Sequence, residues 1–162
     1  MTQGIVDLRT LFGFRFINHL KGATDMKRLT PYLTFAGNCR EAINFYKDAL
    51  HGEIVSVQTF AEANYQMDTD RANNIIHSEV KAEDIQFYAS DGMPDFVANG
   101  GNMVTLSINL EDLAEEERIF NALSAGGKVT MALNDTFWGA RFGMLVDKFG
   151  VPWMLNCEPK KE

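Results

Sequence analysis

The chain has 162 residues, of which 46% are apolar and 23% charged, and its net charge at pH 7 is −7. This length fits one domain or two small repeated modules, and the composition is that of an ordinary soluble protein. The negative charge argues against a nucleic-acid partner and against docking on an anionic membrane, because both require a basic face. The two cysteines, Cys39 and Cys157, form no CxxC pair, which suits a reducing compartment such as the cytoplasm.

Residues 1–25 differ in character from the rest of the chain. An apolar run between residues 11 and 20 is interrupted by polar and charged side chains, and it is shorter than the roughly 20 apolar residues of a membrane span. It also lacks the basic start and the small-residue cleavage site of a signal peptide. We therefore predict that residues 1–25 are an extension outside the core domain and that the core domain covers residues 26–162. A short amphipathic helix that packs on the domain or on a partner is the alternative.

Two helix patterns recur 74 residues apart, in "NCREAINFYKDALHGEIV" and "DLAEEERIFNALSAGGKV". Each begins with a residue that can cap a helix, continues with an apolar stripe and ends at a glycine suited to a left-handed C-terminal cap. The paired N-caps, capping-box acids and terminal glycines are Asn38 and Asp112, Glu41 and Glu115, and Gly52 and Gly126. The agreement of start, stripe and stop indicates an internal duplication.

Strand patterns flank both helices, and each half ends in a hairpin. The predicted strands are residues 30–36, 53–60, 73–80 and 85–91 in the first half, and 102–110, 128–133, 140–146 and 151–157 in the second. Each module, at about residues 29–91 and 102–157, is thus strand, helix, strand, strand, strand. One helix cannot cover both faces of a sheet, so the sequence predicts an α+β fold in which two βαβββ modules curve around a cleft.

The segments "PYLTFAGNCREAINFYKDALHGE", "IIHSEV", "FYASD" and "DTFWGARFGMLVDKFGVPWMLNC" resemble the PhnB-like branch of the vicinal oxygen chelate superfamily. That superfamily includes glyoxalase I, bleomycin-resistance proteins and extradiol dioxygenases. The resemblance covers about residues 29–157 and implies a curved, partly open barrel of mixed β-sheet. It also implies a homodimer, in some relatives with modules exchanged between subunits. Some relatives carry a quinone methyltransferase label, but no GxGxxG loop follows a strand here.

Metalloenzymes of this superfamily hold one divalent ion with ligands from the first and fourth strands of each module. By resemblance, those positions fall near Pro31, Tyr88, Met103 and Met154. None of these side chains is a carboxylate or an imidazole, and methionine is too soft for oxygen-preferring metals. We therefore predict no metal ion and no cofactor, and the loss of the Lewis-acid mechanism.

His77 is the candidate acid–base residue, because its unperturbed pKa lies near neutrality. Asp91 ends the next strand, where it would orient the imidazole of a general base. His77, Glu79 and Asp91 are also the alternative metal triad, although a lone strand histidine is more often an ordinary hydrogen-bonded residue. Cys39 begins a helix whose dipole would lower its pKa, unless the thiol is buried and inert.

The stretch "DTFWGARFG" admits two interpretations. It either closes the core, with Arg141 paired to an acid such as Asp135, or it forms the wall of a pocket. In the second interpretation, Arg141 in an aromatic frame captures a carboxylate, phosphate or phosphonate. The predicted ligand-binding residues are Phe137, Trp138, Arg141, Tyr88 and Met154.

The sequence predicts a metal-independent protein that binds an unknown small molecule in the cleft between the modules. In the interpretation in which Arg141 lines the pocket, that molecule is an anion. One alternative is an enzyme that acts on a small metabolite through His77, Asp91 or Arg141. The other is a dimeric interaction module with a vestigial cleft. Whether any reaction is catalysed stays open at this point.

Overall fold

A computed structural model describes residues 28–93, 101 and 103–159. The predicted N-terminal extension lies outside the described residues. The first module contains β1 (Tyr32–Phe35), α1 (Cys39–Ala49), β2 (Glu53–Thr59), β3 (Ile75–Ala82) and β4 (Ile85–Asp91). The second contains β5 (Leu106–Leu110), α2 (Leu113–Ser124), β6 (Lys128–Asp135), β7 (Arg141–Val146) and β8 (Pro152–Cys157).

Each module forms a four-stranded mixed sheet with the same strand order, β1-β4-β3-β2 and β5-β8-β7-β6. The first and fourth strands of each module pair in parallel, and the remaining pairs are antiparallel. The α+β class with two βαβββ modules is confirmed. Within the described residues no strand pairing joins the two sheets, so they do not form a closed barrel.

The two helices build one core that both modules share. The buried helix residues are Ala42, Ile43 and Tyr46 of α1 and Ile119, Phe120 and Leu123 of α2. They pack with buried strand residues of both sheets in one hydrophobic cluster. Each large apolar side chain buried in this way stabilises the fold by about 1.5–3 kcal/mol relative to exposure. Neither helix in the described part of the chain is long and apolar enough to cross a membrane.

Asp147 joins the second module to the first. Its Oδ2 accepts hydrogen bonds from the Tyr46 hydroxyl of α1 and from Trp153 Nε1, both at 2.8 Å. Its Oδ1 accepts from the backbone N–H groups of Phe149 and Val151, at 2.9 and 3.0 Å. The buried carboxylate therefore shapes the β7–β8 turn and anchors it to the helix of the other module.

The helix starts differ between the modules. Asp112 caps α2, because its side chain accepts from the backbone N–H groups of Ala114 and Glu115. The Asn38 side chain makes no capping bond at α1. Glu115 forms an ion pair with Arg118, so the predicted capping boxes are only half realised.

The helix ends confirm the predicted left-handed role of Gly126 and correct that of Gly52. The left-handed residues are His51 (φ 52°) after α1 and Gly126 (φ 74°) after α2. Gly52 is instead equivalent to Gly127, because α1 has 11 residues and α2 has 12. At both glycines a Cβ would stand 2.4 Å from a carbonyl oxygen of the neighbouring strand. These two glycines are required for close packing, not for a left-handed turn.

Candidate functional site

The side of the first sheet that faces away from α1, here called the first open face, carries an aromatic cluster. Alternation along β3 and β4 buries Val80 and Phe87 in the core and leaves His77 and Tyr88 half-buried on the opposite side. Tyr32 lies beside Tyr88 in the parallel register of β1 and β4. Its hydroxyl is 3.4 Å from His77 Nδ1. We did not predict Tyr32 as a site residue from the sequence. Strand alternation places it on the side of β1 opposite to the buried Phe35, and this was a usable signal.

The rings of this cluster lie close together. The ring centroids are separated by 6.0 Å for Tyr32 and His77, 6.1 Å for Tyr32 and Tyr88, and 5.2 Å for His77 and Tyr88. Burial lowers the pKa of His77, an effect that the Glu79 carboxylate partly opposes. Burial also raises the pKa of the Tyr32 phenol. The cluster therefore presents a neutral imidazole and a protonated phenol.

A short polar chain flanks the cluster. Gln86 Nε2 donates to Glu79 Oε1 at 2.6 Å, and Arg28 Nη1 donates to Gln86 Oε1 at 2.7 Å. Glu79 lies opposite Tyr88 in the register of β3 and β4. The negative Glu79 and the positive Arg28 thus border the aromatic rings, and the Gln86 amide between them forms a hydrogen bond with each.

The equivalent side of the second sheet, the second open face, is richer in sulfur and apolar atoms. Met144 and Met154 lie opposite each other in the register of β7 and β8. The Trp138 ring is 6.3 Å from that of Phe142 and packs edge-on against Phe137 at 4.8 Å. Phe137 is 98% exposed and Trp138 54% exposed. This face offers polarizable, adaptable contacts to an apolar molecule.

Asp91 does not share a face with His77. Its Oδ1 accepts from the backbone N–H of Cys39 at 2.9 Å, and its Oδ2 accepts from that of Ile75 at 2.8 Å. The buried carboxylate therefore ties the start of α1 to β3 on the helix-facing side. The structure does not bring the predicted catalytic pair together, and Tyr32 is the side chain that lies next to His77.

Arg141 also points toward the helix-facing side. Its Nε lies 3.6 Å from Glu116 Oε2, and its Nη2 lies 3.2 Å from Glu117 Oε2, both on α2. The other predicted ligand contacts of this stretch, Phe137 and Trp138, are not on this side of the sheet with it. The geometry matches the interpretation of an acid-paired arginine, but its partners are Glu116 and Glu117 of α2. Asp135, the acid suggested from the sequence, lies opposite Arg141 in the β6–β7 register, and these two described residues form no ion pair.

Glu116 predicts an unusual pH dependence of stability. Its side chain is fully buried, neither carboxylate oxygen has a hydrogen-bond partner among the described residues, and burial raises its pKa against the opposing effect of Arg141. A raised folded-state pKa adds stability that is present below the unfolded pKa and is lost as pH rises through the folded pKa. Glu116→Gln should remove that loss. In urea denaturation, the free energy of unfolding of the variant should therefore increase relative to that of the wild type as pH rises above about 4.5.

Glu117→Gln is the matched control, because Glu117 is the neighbouring, largely exposed glutamate that also contacts Arg141. Its stability difference from the wild type should stay nearly constant over the same pH range. If the Glu116→Gln difference is equally constant, the carboxylate of Glu116 has no raised pKa.

The thiols offer no reactive nucleophile. Burial, with the nearby Asp91 carboxylate, raises the pKa of Cys39 to about 12. Burial also raises the pKa of Cys157. The dipole of α1 therefore does not activate Cys39, and both side chains act as small apolar residues in the core.

The register shows which residues lie beside one another at the positions that the resemblance assigns to metal ligands. Tyr32 lies beside Tyr88, and Ser107 beside Met154, whereas Met103 precedes β5 and is 95% exposed. In the part of the chain that the structure describes, no three His, Cys, Asp or Glu side chains are grouped as metal ligands would be. The alternative metal triad is split, because its aspartate is on the helix-facing side.

Comparisons with known proteins show the family of this chain. Residues 27–156 match a family model described as 3-demethylubiquinone-9 3-methyltransferase. Protein YjdN of Escherichia coli (strain K12) is 37% identical over 139 residues, which are 79% of this chain and 93% of that protein. The crystal structure of protein PA1353 from Pseudomonas aeruginosa is similar with a TM-score of 0.74 and 39% identity, covering 83% of this chain and 100% of the other. A putative 3-demethylubiquinone-9 3-methyltransferase, PhnB protein, from Bacillus cereus has a TM-score of 0.66 and 27% identity, covering 81% and 99%.

Proposed function

Because this chain belongs to the PhnB-like branch of the vicinal oxygen chelate superfamily, we propose that it binds a small molecule on its open sheet faces without a metal ion. The methyltransferase named in the family description is not part of this proposal. The sequence contains no glycine-rich loop of the kind that follows a strand in nucleotide-binding proteins.

The observation that carries the proposal is the cluster of Tyr32, His77 and Tyr88 on a sheet face that no described helix covers. Three rings within 6.1 Å of one another offer a stacking surface. The Tyr32 hydroxyl and the neutral His77 ring supply a donor and an acceptor beside it. Such a surface suits a planar molecule that is uncharged or weakly charged and carries one or two hydrogen-bonding groups.

This site is less suited to binding a strongly anionic ligand. Arg141, the cation predicted for that purpose, is engaged by Glu116 and Glu117. Arg28 is a cation beside the aromatic cluster, and its Nη1 already donates to Gln86. The overall charge of −7 would also slow the approach of an anion.

The proposed site is completed by a second copy of the chain. The aromatic cluster is on one sheet and the methionines Met144 and Met154 are on the other, and no strand pairing connects these sheets among the described residues. In a twofold dimer, the first open face of one copy meets the second open face of its partner. A molecule held there would be enclosed by polar aromatic rings on one side and by adaptable thioethers on the other.

The test is a thermal-shift screen with planar aromatic fragments. Compounds that raise the Tm of the wild type by several degrees should lose that effect in Tyr88→Ala and in Met154→Ala, since each variant removes one wall. The shifts should be the same with EDTA and with added Ni²⁺, Zn²⁺ or Mn²⁺. Light scattering should give the mass of two chains.

Tyr65→Ala is the control, because Tyr65 packs on Phe60 in the β2–β3 connection and makes no described ring contact with Tyr32, His77 or Tyr88. Its ligand shifts should equal those of the wild type. Ligand stabilisation that survives in both Tyr88→Ala and Met154→Ala would refute the site, a metal-dependent shift would refute metal independence, and a monomer that still binds would refute the shared cleft.

A further inference from the structure

A cavity of about 140 Å³ lies at the carboxyl ends of the parallel strands β1 and β4, apart from both open faces. It is lined by Ala36, Gly37, Arg71, Asn74, Gly92 and Met93. In sheets with parallel strands, the carboxyl ends are where loops and helix starts turn backbone N–H groups toward a ligand. None of these lining residues takes part in the proposed function.

Arg71 is the unusual member of this lining. It is partly buried, yet its guanidinium makes no ion pair or hydrogen bond with any described residue. The short turn before β3 holds it in place, because its backbone N–H donates to Asp68 and its carbonyl accepts from Asn74. A guanidinium removed from water is costly unless an anion or strong acceptors replace the water.

Asn74 and Gly37 face each other across the cavity. Asn74 Nδ2 lies 3.8 Å from the point where a Cβ on Gly37 would stand. Gly37 has φ +97°, a left-handed value that favours glycine and leaves this wall without a side chain. The amide nitrogen of Asn74 is therefore a second donor group at the same opening.

In the second module the chain itself supplies an anion at the start of its helix. There the Asp112 carboxylate accepts from the backbone N–H groups of Ala114 and Glu115. In the first module the equivalent Asn38 makes no capping bond. The Asp91 carboxylate, next in sequence to the lining residue Gly92, is occupied by the backbone N–H groups of Cys39 and Ile75, and Arg71 has no ion-pair partner among the described residues.

From the cavity, the unpaired Arg71 and the Asn74 amide, we infer that this place binds a small oxyanion, either phosphate or a carboxylate group. The volume of about 140 Å³ compares with about 30 Å³ for one water in the liquid. The cavity therefore accommodates an anion of a few heavy atoms but not a large metabolite. Arg71 binds two oxygens of the anion, and Asn74 donates to one of them.

The experiment is an NMR titration of the ¹⁵N-labelled full chain with inorganic phosphate, acetate and chloride at constant ionic strength. The backbone N–H signals of Gly37, Asn74 and Gly92 should shift saturably with phosphate or with acetate but not with chloride. Whichever of the two binds more tightly identifies the source of the oxyanion. Arg71→Gln should raise the Kd at least tenfold.

Lys128→Gln is the matched control, since it removes the same charge from an exposed position on β6 of the other module, and its Kd should equal that of the wild type. Asn74→Asp is a second variant, which should abolish binding by placing a negative charge at the opening. The inference is wrong if neither phosphate nor acetate gives saturable shifts, or if Arg71→Gln binds as tightly as the wild type. The fragment screen at the open faces is independent of either result.

Discussion

Asp147→Ala should lower the free energy of unfolding by about 4 kcal/mol, the largest effect expected for any polar substitution in this chain. The Asp147 side chain accepts four hydrogen bonds, from the Tyr46 hydroxyl, Trp153 Nε1 and two backbone N–H groups of its turn. Alanine would leave the buried Tyr46 and Trp153 donors without acceptors and would also loosen the contact between modules. Urea denaturation followed by fluorescence measures the loss.

Asp48→Ala is the matched control for this prediction. Asp48 lies on the exposed side of α1 and pairs with Lys47 at the surface, where an ion pair contributes about 0–1 kcal/mol. The control should therefore unfold within about 1 kcal/mol of the wild type. A loss for Asp147→Ala no larger than that of the control would show that Asp147 does not hold the two modules together.

Gly127→Ala should destabilise the fold by about 3 kcal/mol, at the upper end of what overpacking by one methyl group costs. The new Cβ would stand 2.4 Å from the Val146 carbonyl oxygen and 2.8 Å from the Asp147 Cα. Both atoms are backbone, so α2 and the following strand would have to move away from β7. The equivalent Gly52→Ala should behave similarly, because its Cβ would meet the Lys81 carbonyl oxygen at the same distance.

The control for the glycine prediction is Gly101→Ala. Gly101 has no atom within 4 Å of the added Cβ and no positive φ, so its stability should change by less than about 0.5 kcal/mol. Thermal unfolding of the three variants gives the comparison. If Gly127→Ala is as stable as Gly101→Ala, the close approach of helix end and strand is not a constraint on the sequence.

Local signals predicted the repeated helices and strands well. Caps, apolar stripes and hairpin turns are set by neighbours a few residues apart, so the pattern around Asp112 and the two hairpins could be interpreted without the fold. The left-handed role predicted for Gly126 was right, but that predicted for Gly52 was wrong. One extra residue in α2 shifts the equivalence, and only the strand that packs against each helix end shows which glycine is required.

The placement of site residues depended on which face of each sheet is covered. Alternation indicates that His77 and Tyr88 lie on one side of their strands, but it does not say whether that side meets a helix. Asp91 and Arg141 proved to lie on the helix-facing sides, each with its own partners. Tyr32 joined His77 only through the parallel register of β1 and β4.

The sequence by itself determined the duplicated βαβββ pattern and the membership of the PhnB-like branch, because both rest on short-range periodicity and on contiguous motifs. Only the tertiary structure decided that Tyr32, His77 and Tyr88 form a cluster, that Arg141 is paired with Glu116, and that Arg71 opens onto a separate cavity. The physical reason is that a side chain's surroundings are set by strand register and by long-range packing. Tyr32 lies 45 and 56 positions from His77 and Tyr88, and Glu116 lies 25 positions from Arg141, so no local pattern encodes these contacts.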